Sequence, residues 1–235
     1  MTAIRPPEYF PRLDYAALLL AADRFVLADT FPFSRQGHQN RMRIRTPDGQ
    51  GWQWLTVPRV HAQDRRRLDT VPLDDATPWV RRHRRALHVN YSMTPFYDHY
   101  RDSVDALLKR EWASLGDLAC ATVAWAHEHL GGEGTVVQAS QLPGAPDDLV
   151  RVWTALDDAD ALGTLPESAE TDATQLIPHG ATVQVLRFDE HERRQNFPGF
   201  VGGVSVLDLL FNYGPAAADL LREGVTGWRV VSLRM

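Results

Sequence analysis

The N-terminal stretch up to Asp29 restricts the possible folds more than any other part of this chain. Residues 2–4 (TAI) predict a short strand, the prolines of RPPEYFP interrupt it, residues 13–22 predict a helix, and RFVLAD predicts a second strand. A strand, a helix and a strand in so short a span indicate a βαβ unit. Strand-like and helical patterns alternate again in the C-terminal half, without an internal repeat or low-complexity linker. We therefore expect one compact mixed α/β domain over residues 1–235.

Two segments between these regions have their own patterns. In NRMRIRTPDGQGWQWLTVP, hydrophobic and polar residues alternate on both sides of a turn, which predicts a β-hairpin. Residues from about 77 to 131 predict a helical segment, either an insertion or a subdomain, with helices over 78–91, 95–110 and 115–130. The predicted helix-start signals are Thr77 and Thr94, each followed by proline, and Ser114 with Asp117.

Composition excludes some classes of protein. The net charge of -5 argues against a general nucleic-acid binder. No apolar stretch approaches the ~18–20 residues of a membrane span. The N-terminus lacks a basic region followed by an apolar signal core, so we expect a cytoplasmic protein. The one cysteine, Cys120, forms no internal disulfide and is expected to be a buried, inert thiol.

The loop after the second predicted strand, within DTFPFSRQGHQNRMRIR, is crowded with long polar side chains. Ligands of α/β sheets tend to lie beyond the carboxyl ends of strands, where this loop is expected. Arg35 and Arg41 can hold a phosphate or carboxylate, Asn40 can orient an amide or hydroxyl, and His38 can move a proton. The alternative is a solvated loop whose arginines pair with nearby aspartates.

The first helix of the helical segment carries a histidine on its apolar stripe. That stripe comprises Trp79, His83, Leu87, Asn90 and Tyr91. Burial lowers the pKa of a histidine, and a neutral imidazole can act as a general base. The alternative, slightly favoured by the helix pattern alone, is a core histidine with one hydrogen-bond partner.

Other candidate motifs are weaker. The spacings of His83 with His88 and of His127 with His129 do not fit a helical zinc pair, so no metal site is predicted. Glycine-rich nucleotide loops are absent from the sequence, and no cofactor is assigned. Ser205 is predicted to be a helix N-cap with Asp208 as its capping partner, in preference to a catalytic pair.

Four segments together resemble the WbqC-like protein family: PPEYFPRLDYAALLLAADRFVLAD, QNRMRIRTPDGQGWQWLTVP, WVRRHRRALHVNYSMTPFYDHY and VSVLDLLFNYG. The resemblance implies a setting in polysaccharide or O-antigen biosynthesis. The polar positions that recur in the family fall here on Tyr9, Asp23, Asp29, Asn40, Arg41, His83, Tyr91, Ser205 and Asp208. Two positions depart from the pattern, since Pro6 replaces a frequent glutamine and Arg84 replaces a frequent tryptophan.

From the residues and the resemblance we expect a group-transfer enzyme that moves an acyl or aminoacyl group to an activated sugar or a related amine or hydroxyl. Arg41, helped by Arg35, would hold the donor, and Asn40 would orient it. His83 would act as the base, and Tyr9 and Tyr91 would line the pocket. The alternative is a non-catalytic protein of the same pathway that binds a nucleotide-sugar or assembles with a partner. Nucleotidyl transfer is a third, weaker possibility. Catalysis itself, the substrate and the oligomeric state are left open.

Overall fold

The structure is a computed structural model and describes residues 1–60 and 66–232. The strands of the described chain are β1 (Thr2–Arg5), β2 (Arg24–Leu27), β3 (Arg41–Arg45), β4 (Trp52–Thr56), β5 (Thr135–Gln138), β6 (Ala161–Thr164), β7 (Thr182–Phe188) and β8 (Val225–Val230). The α-helices are α1 (Leu13–Ala21), α2 (Trp79–Tyr91), α3 (Tyr97–Lys109), α4 (Leu115–His129), α5 (Leu149–Thr154), α6 (Ala169–Leu176), α7 (Val206–Tyr213) and α8 (Ala217–Gly224). Among the described residues, none of these helices has the length and apolar character needed to cross a membrane.

The main sheet has the strand order β5-β2-β1-β6-β7-β8. Every neighbouring pair is parallel except β7 with β8. The chain moves outward from β1 through β2 to β5, then returns to place β6 on the opposite side of β1. The strand order therefore reverses between β1 and β6, and the carboxyl ends of strands at such a switch point border a crevice suited to ligands.

Alternating side chains of the central strands face two hydrophobic layers. In β2, Phe25 and Leu27 belong to the larger cluster, which also contains buried residues of α1, α3, α4 and α7. Val26, between them, belongs to the smaller cluster with residues of α5 and α6. Because both faces are covered, these strands are apolar on both sides. The predicted mixed α/β fold with an N-terminal βαβ unit is confirmed.

The hairpin and the helical segment also form as predicted. Strands β3 and β4 pair antiparallel, with Arg43 opposite Trp54. The buried residues of α2 are the five of the predicted stripe, including His83. Helices α2 to α4 contribute to the same larger cluster as α1 and β2. The division of the chain into one domain, with this segment as an insertion or subdomain, stays a prediction.

Two predicted helix starts were wrong. Thr77 does not cap α2, because its hydroxyl donates to Asp74 and the position before the helix is Pro78. Thr94 does not cap α3, because its hydroxyl donates to the carbonyl oxygen of Tyr91. Threonine hydroxyls can bond to several nearby backbone and side-chain groups, and these alternatives compete with capping. Ser114 does cap α4, and accepts a hydrogen bond from the backbone N–H of Asp117 at 3.0 Å.

Candidate functional site

A cleft of about 690 Å³ opens at the reversal of strand order. Its walls come from the segment after β1, from the loop 34–39 that follows β2, and from Glu167 just after β6. The residues that line it are Arg5, Pro6, Glu8, Arg12, Tyr15, Ser34, Gln36, Gly37, His38, Gln39 and Glu167. We call it the switch-point cleft.

Hydrogen bonds hold the loop 34–39 over this cleft. The backbone N–H of Tyr9 donates to the carbonyl oxygen of His38 at 2.9 Å, which ties the loop to the segment after β1. The buried side chain of Gln39 accepts from the backbone N–H of Ser34 at 2.7 Å. Arg41, which follows the loop, also holds it in place, because its Nε donates to the carbonyl oxygen of Gly37 at 3.1 Å. The loop is therefore an ordered wall of the cleft.

Arg5, the last residue of β1, retains hydrogen-bonding capacity. Its Nη1 donates to Asp172 Oδ2 at 3.4 Å and to Thr164 Oγ1 at 3.5 Å, both long contacts. Its Nε is buried and has no acceptor among the described residues. Burial raises the pKa of Asp172, and its hydrogen bond with Thr164 offsets part of that rise. Arg5, which lines the cleft, thus carries a donor that no described residue satisfies.

Arg12, in contrast, is surrounded by carboxylates. It lies 3.1 Å from Glu8, 2.9 Å from Glu167 and 3.4 Å from Asp14. Burial alone would lower the pKa of Arg12, but the charges of Glu8 and Asp14 raise it. Burial raises the pKa of Asp14 to about 6, although Arg12 acts in the opposite direction. Arg12 is thus a neutralised, structural cation within the cleft wall.

His38 supplies a neutral imidazole to the cleft. Burial, with smaller contributions from the charges of Arg12, Arg41 and Arg43, lowers its pKa to about 4. At pH 7 the ring is therefore uncharged and has a nitrogen that can accept a proton or a hydrogen bond. Its ring centroid lies 5.4 Å from that of Trp54 on the hairpin.

His83 lies outside the cleft, and both of its ring nitrogens are hydrogen-bonded. Nε2 lies 3.2 Å from the carbonyl oxygen of Thr56, and Nδ1 lies 3.0 Å from the hydroxyl of Tyr9. Because a carbonyl oxygen only accepts, Nε2 carries the hydrogen and Nδ1 accepts from Tyr9. Burial lowers the pKa of His83 to about 4. These contacts favour a structural role, and the catalytic assignment of His83 stays a prediction.

Tyr91 and Asp208 form a second buried network. The Tyr91 hydroxyl accepts from the backbone N–H of Arg45 at 2.8 Å and donates to Asp208 at 3.2 Å. Asp208 also accepts from Gln195 at 2.9 Å and lies 3.4 Å from Arg193. Burial raises the pKa of Asp208, and the hydrogen bond from Gln195 and the charge of Arg193 oppose it. Tyr91 is thus a fully bonded core residue, as is Tyr9.

Ser205 is the N-cap of α7, but not in the predicted pairing. Its hydroxyl accepts from the backbone N–H of Leu207 at 3.2 Å. The carboxylate of Asp208 faces Tyr91 and Gln195 instead of returning to the backbone of Ser205. The capping partnership of Asp208 was therefore wrong.

The remaining predicted residues surround the cleft or lie away from it. Asn40 closes the hairpin by donating to the carbonyl oxygen of Val57 at 3.0 Å. Asp29 accepts from the backbone N–H of Ser140 at 2.9 Å, after β5. Asp23 is exposed and pairs with the amino group of Met1. Arg35 is exposed, and its side chain is not among those that line the cleft. Their roles in binding stay predictions.

The comparisons with known proteins give the family. The sequence model of the WbqC-like protein family matches residues 6–220. This chain belongs to the WbqC-like protein family. A relative, the uncharacterized protein Rv1507c from Mycobacterium tuberculosis (strain ATCC 25618 / H37Rv), is 29% identical over 230 residues, which cover 94% of this chain and 96% of the relative. No solved structure matches the chain significantly.

The side chains of the core networks and those of the cleft are different residues in this WbqC-like protein. Tyr9 bonds to His83 and Tyr91 bonds to Asp208 in the core. These four side chains hold the scaffold, while the cleft beside it is lined by others, among them Pro6.

Sequence reasoning missed much of the cleft lining. Arg5, Glu8, Arg12, Tyr15 and Glu167 were not predicted as site residues. The rule about carboxyl ends of strands, which we applied to the loop after the second strand, applies equally to Arg5 at the end of β1. Glu167 had no such signal, since only the strand order brings the end of β6 beside β1.

Proposed function

We propose that this WbqC-like protein transfers an acyl or aminoacyl group to an amine or hydroxyl of an activated sugar, or of a related substrate, bound in the switch-point cleft. The observation that carries the proposal is one cleft lined by a neutral imidazole, His38, and by a guanidinium with an unpaired donor, Arg5. The proposed setting, polysaccharide or O-antigen biosynthesis, rests on the family resemblance alone.

In the proposed reaction the amine or hydroxyl of the acceptor attacks the acyl carbon of the donor. A carbon–nitrogen or carbon–oxygen bond forms as the bond from the acyl carbon to the leaving group breaks. The proton of the attacking atom passes to His38 and then to the leaving group. Arg5 would stabilise the negative oxygen, because a guanidinium is a strong charge-assisted donor. His38 replaces His83 in the role of base, since His83 has both ring nitrogens engaged.

A matched pair of histidine variants tests this proposal. Donor and acceptor pairs are first selected by thermal shift with nucleotide-sugars and acyl-CoAs, since a ligand at 100 times its Kd adds ~2.7 kcal/mol. Product formation is then followed by mass spectrometry in the wild type, His38→Gln and His83→Gln. We expect His38→Gln to lower kcat by ~10²–10⁴-fold with little change in Tm. We expect His83→Gln to lower Tm and to retain turnover in the folded protein. Unchanged turnover in His38→Gln would show that His38 is not the base.

One observation favours the alternative, a non-catalytic binding protein of the same pathway. A pKa of about 4 makes His38 a weak base at neutral pH, where the most effective bases have a pKa near 7. Such a protein would bind a nucleotide-sugar in the cleft saturably and release it unchanged. Calorimetry combined with mass spectrometry of the recovered ligand separates the two functions, because only the enzyme alters the ligand.

A further inference from the structure

One face of the hairpin carries arginines stacked on tryptophans. The guanidinium carbon of Arg43 lies 4.0 Å from the ring centroid of Trp52 and 5.0 Å from that of Trp54. That of Arg41 lies 4.4 Å from the centroid of Trp54. A guanidinium stacked on an indole keeps its N–H groups at the edge of the stack. We call these four side chains the Arg–Trp ladder.

The two cations of the ladder have no carboxylate partner among the described residues. Within residues 1–60 and 66–232, no ion pair involves Arg41 or Arg43, whereas Arg12 pairs with three carboxylates. Arg41 uses two of its nitrogens on the carbonyl oxygens of Gln36 and Gly37. The Nε of Arg43 is buried and has no acceptor in this part of the chain. Buried donors without acceptors are rare, and they call for an anion or another acceptor.

The chain packs closely beside Arg43 at a glycine. Gly203 lies next to it with φ of +69°, and a Cβ at that position would lie 3.3 Å from Arg43 Nη1. Any side chain at position 203 would therefore crowd the guanidinium. The half-buried rings of Trp52 and Trp54 hold Arg43 from the other direction. The two tryptophan rings and the nearby backbone of Gly203 therefore fix the position of the half-buried guanidinium.

The ladder begins where the switch-point cleft ends. His38 lines the cleft and has its ring 5.4 Å from that of Trp54. The charges of Arg41 and Arg43, together with that of Arg12, contribute after burial to the lowered pKa of His38. On the cleft side the charge of Arg12 is balanced by Glu8, Asp14 and Glu167. An anion would therefore be attracted more strongly to the ladder than to the Arg12 side of the cleft.

We infer that the Arg–Trp ladder binds the diphosphate of a donor molecule, while the acceptor occupies the switch-point cleft and His38 lies between the two. This inference rests on the proposed group transfer and adds to it the site and the chemistry of the donor. Arginine edges match phosphate oxygens and can bind them in pairs. Nucleotide-sugars and acyl-CoAs share the diphosphate, so the same site chemistry fits either source.

The test measures diphosphate affinity by calorimetry in the intact protein. The probes are inorganic pyrophosphate, UDP and coenzyme A, each at low and at high salt. For every probe that binds the wild type, we expect Arg43→Gln to lower the affinity by about ten-fold or more. We also expect high salt to lower the affinity of the wild type. Arg43→Lys retains the charge but loses the planar fork, so we expect an intermediate loss. The affinity of Arg43→Lys also tests the site if Arg43→Gln folds poorly.

Arg110→Gln is a matched control. Arg110 lies 4.4 Å from the ring centroid of Trp112, a similar stack elsewhere on the molecule. We expect diphosphate affinity to be unchanged in this variant. Tighter binding of UDP or of coenzyme A than of pyrophosphate would support the ladder and identify the donor class. The inference is overturned if the wild type binds no diphosphate at millimolar concentration, or if Arg43→Gln and Arg43→Lys bind like the wild type.

His38→Gln separates this inference from the proposed function. If the ladder binds the donor and His38 is the base, the variant keeps diphosphate affinity and loses turnover. If His38→Gln keeps both diphosphate affinity and turnover, His38 is not the base, while the binding of diphosphate at the Arg–Trp ladder is still supported. If wild-type turnover proceeds with a donor that has no phosphate, and Arg43→Gln does not slow it, the ladder is wrong while the group transfer stands.

Discussion

The switch-point cleft and the buried networks around His83 and Asp208 use the same kinds of side chain, but their histidines differ in unused hydrogen-bonding capacity. In the buried networks, both ring nitrogens of His83 are bonded, and Tyr91 both donates and accepts. In the cleft, the ring of His38 makes no hydrogen bond with the described residues. An arginine Nε without an acceptor among those residues occurs in both regions, at Arg5 and at Arg193. A histidine or a tyrosine alone therefore does not indicate a site.

This difference has a physical basis. A buried polar group that lacks a partner destabilises the fold, so groups that serve only stability acquire partners within the chain. A group that must bind a ligand has to keep a donor or an acceptor free. The comparison thus predicts that changes in the buried networks lower stability, whereas changes in the cleft lower binding or turnover.

The largest expected effect is on the Asp208 network. Asp208→Ala removes the acceptor of the buried Tyr91 and one of the two carboxylates near Arg193, which is half-buried. We expect the free energy of unfolding to fall by about 3–5 kcal/mol. Urea denaturation followed by circular dichroism measures this change.

Glu167→Ala is the control from the cleft. Arg12 would retain Glu8 and Asp14, and the Glu167 side chain is 47% exposed, so we expect a loss below about 1 kcal/mol. Equal losses in the two variants would show that hydrogen-bond capacity does not distinguish the regions.

Stability should also depend on pH through His83. Its pKa is about 4 in the folded protein, below the ~6.5 of an unfolded histidine. The unfolded chain thus binds a proton more readily, so this contribution is complete above pH ~6.5 and is lost as pH falls toward 4. The loss approaches about 3 kcal/mol. Asp14, with a pKa raised to about 6, acts in the opposite direction.

Unfolding free energies measured between pH 7.5 and 4.5 in the wild type and His83→Gln isolate this contribution. We expect the variant to lose less stability over that range, because glutamine does not titrate. Parallel curves for the two proteins would mean that His83 is not the buried neutral group that its contacts indicate.

Local patterns in the sequence predicted the elements of this fold well. The five-residue stripe of α2 was predicted correctly because helical periodicity depends on residues that are close in sequence. The loop 34–39 was placed near the site because it follows a strand. Such features require no knowledge of which strands are neighbours.

The cleft itself depends on distant segments that meet. Glu167 reaches Arg12 only because β6 pairs with β1 instead of extending the sheet beyond β5. The pairing of Tyr9 with His83 likewise joins the segment after β1 to α2. A buried histidine could be predicted from the helix pattern, but the identity of its partners could not. Without the partners, a structural histidine and a catalytic one look alike in the sequence.

The smallest expected effects come from the same substitution made in each region. Tyr9→Phe leaves Nδ1 of His83 without a donor in the core, so we expect a loss of about 1–3 kcal/mol. Tyr15→Phe removes a 3.2 Å hydrogen bond to the carbonyl oxygen of Pro6, which lines the cleft. Tyr15 is as buried as Tyr9, but its acceptor Pro6 is half-buried. Water in the cleft can therefore replace the lost donor at Pro6, and we expect a loss of about 0.5 kcal/mol. Thermal and urea unfolding measure the stability lost in each variant. If Tyr15→Phe loses more stability than Tyr9→Phe, water does not reach the cleft wall any better than it reaches the core.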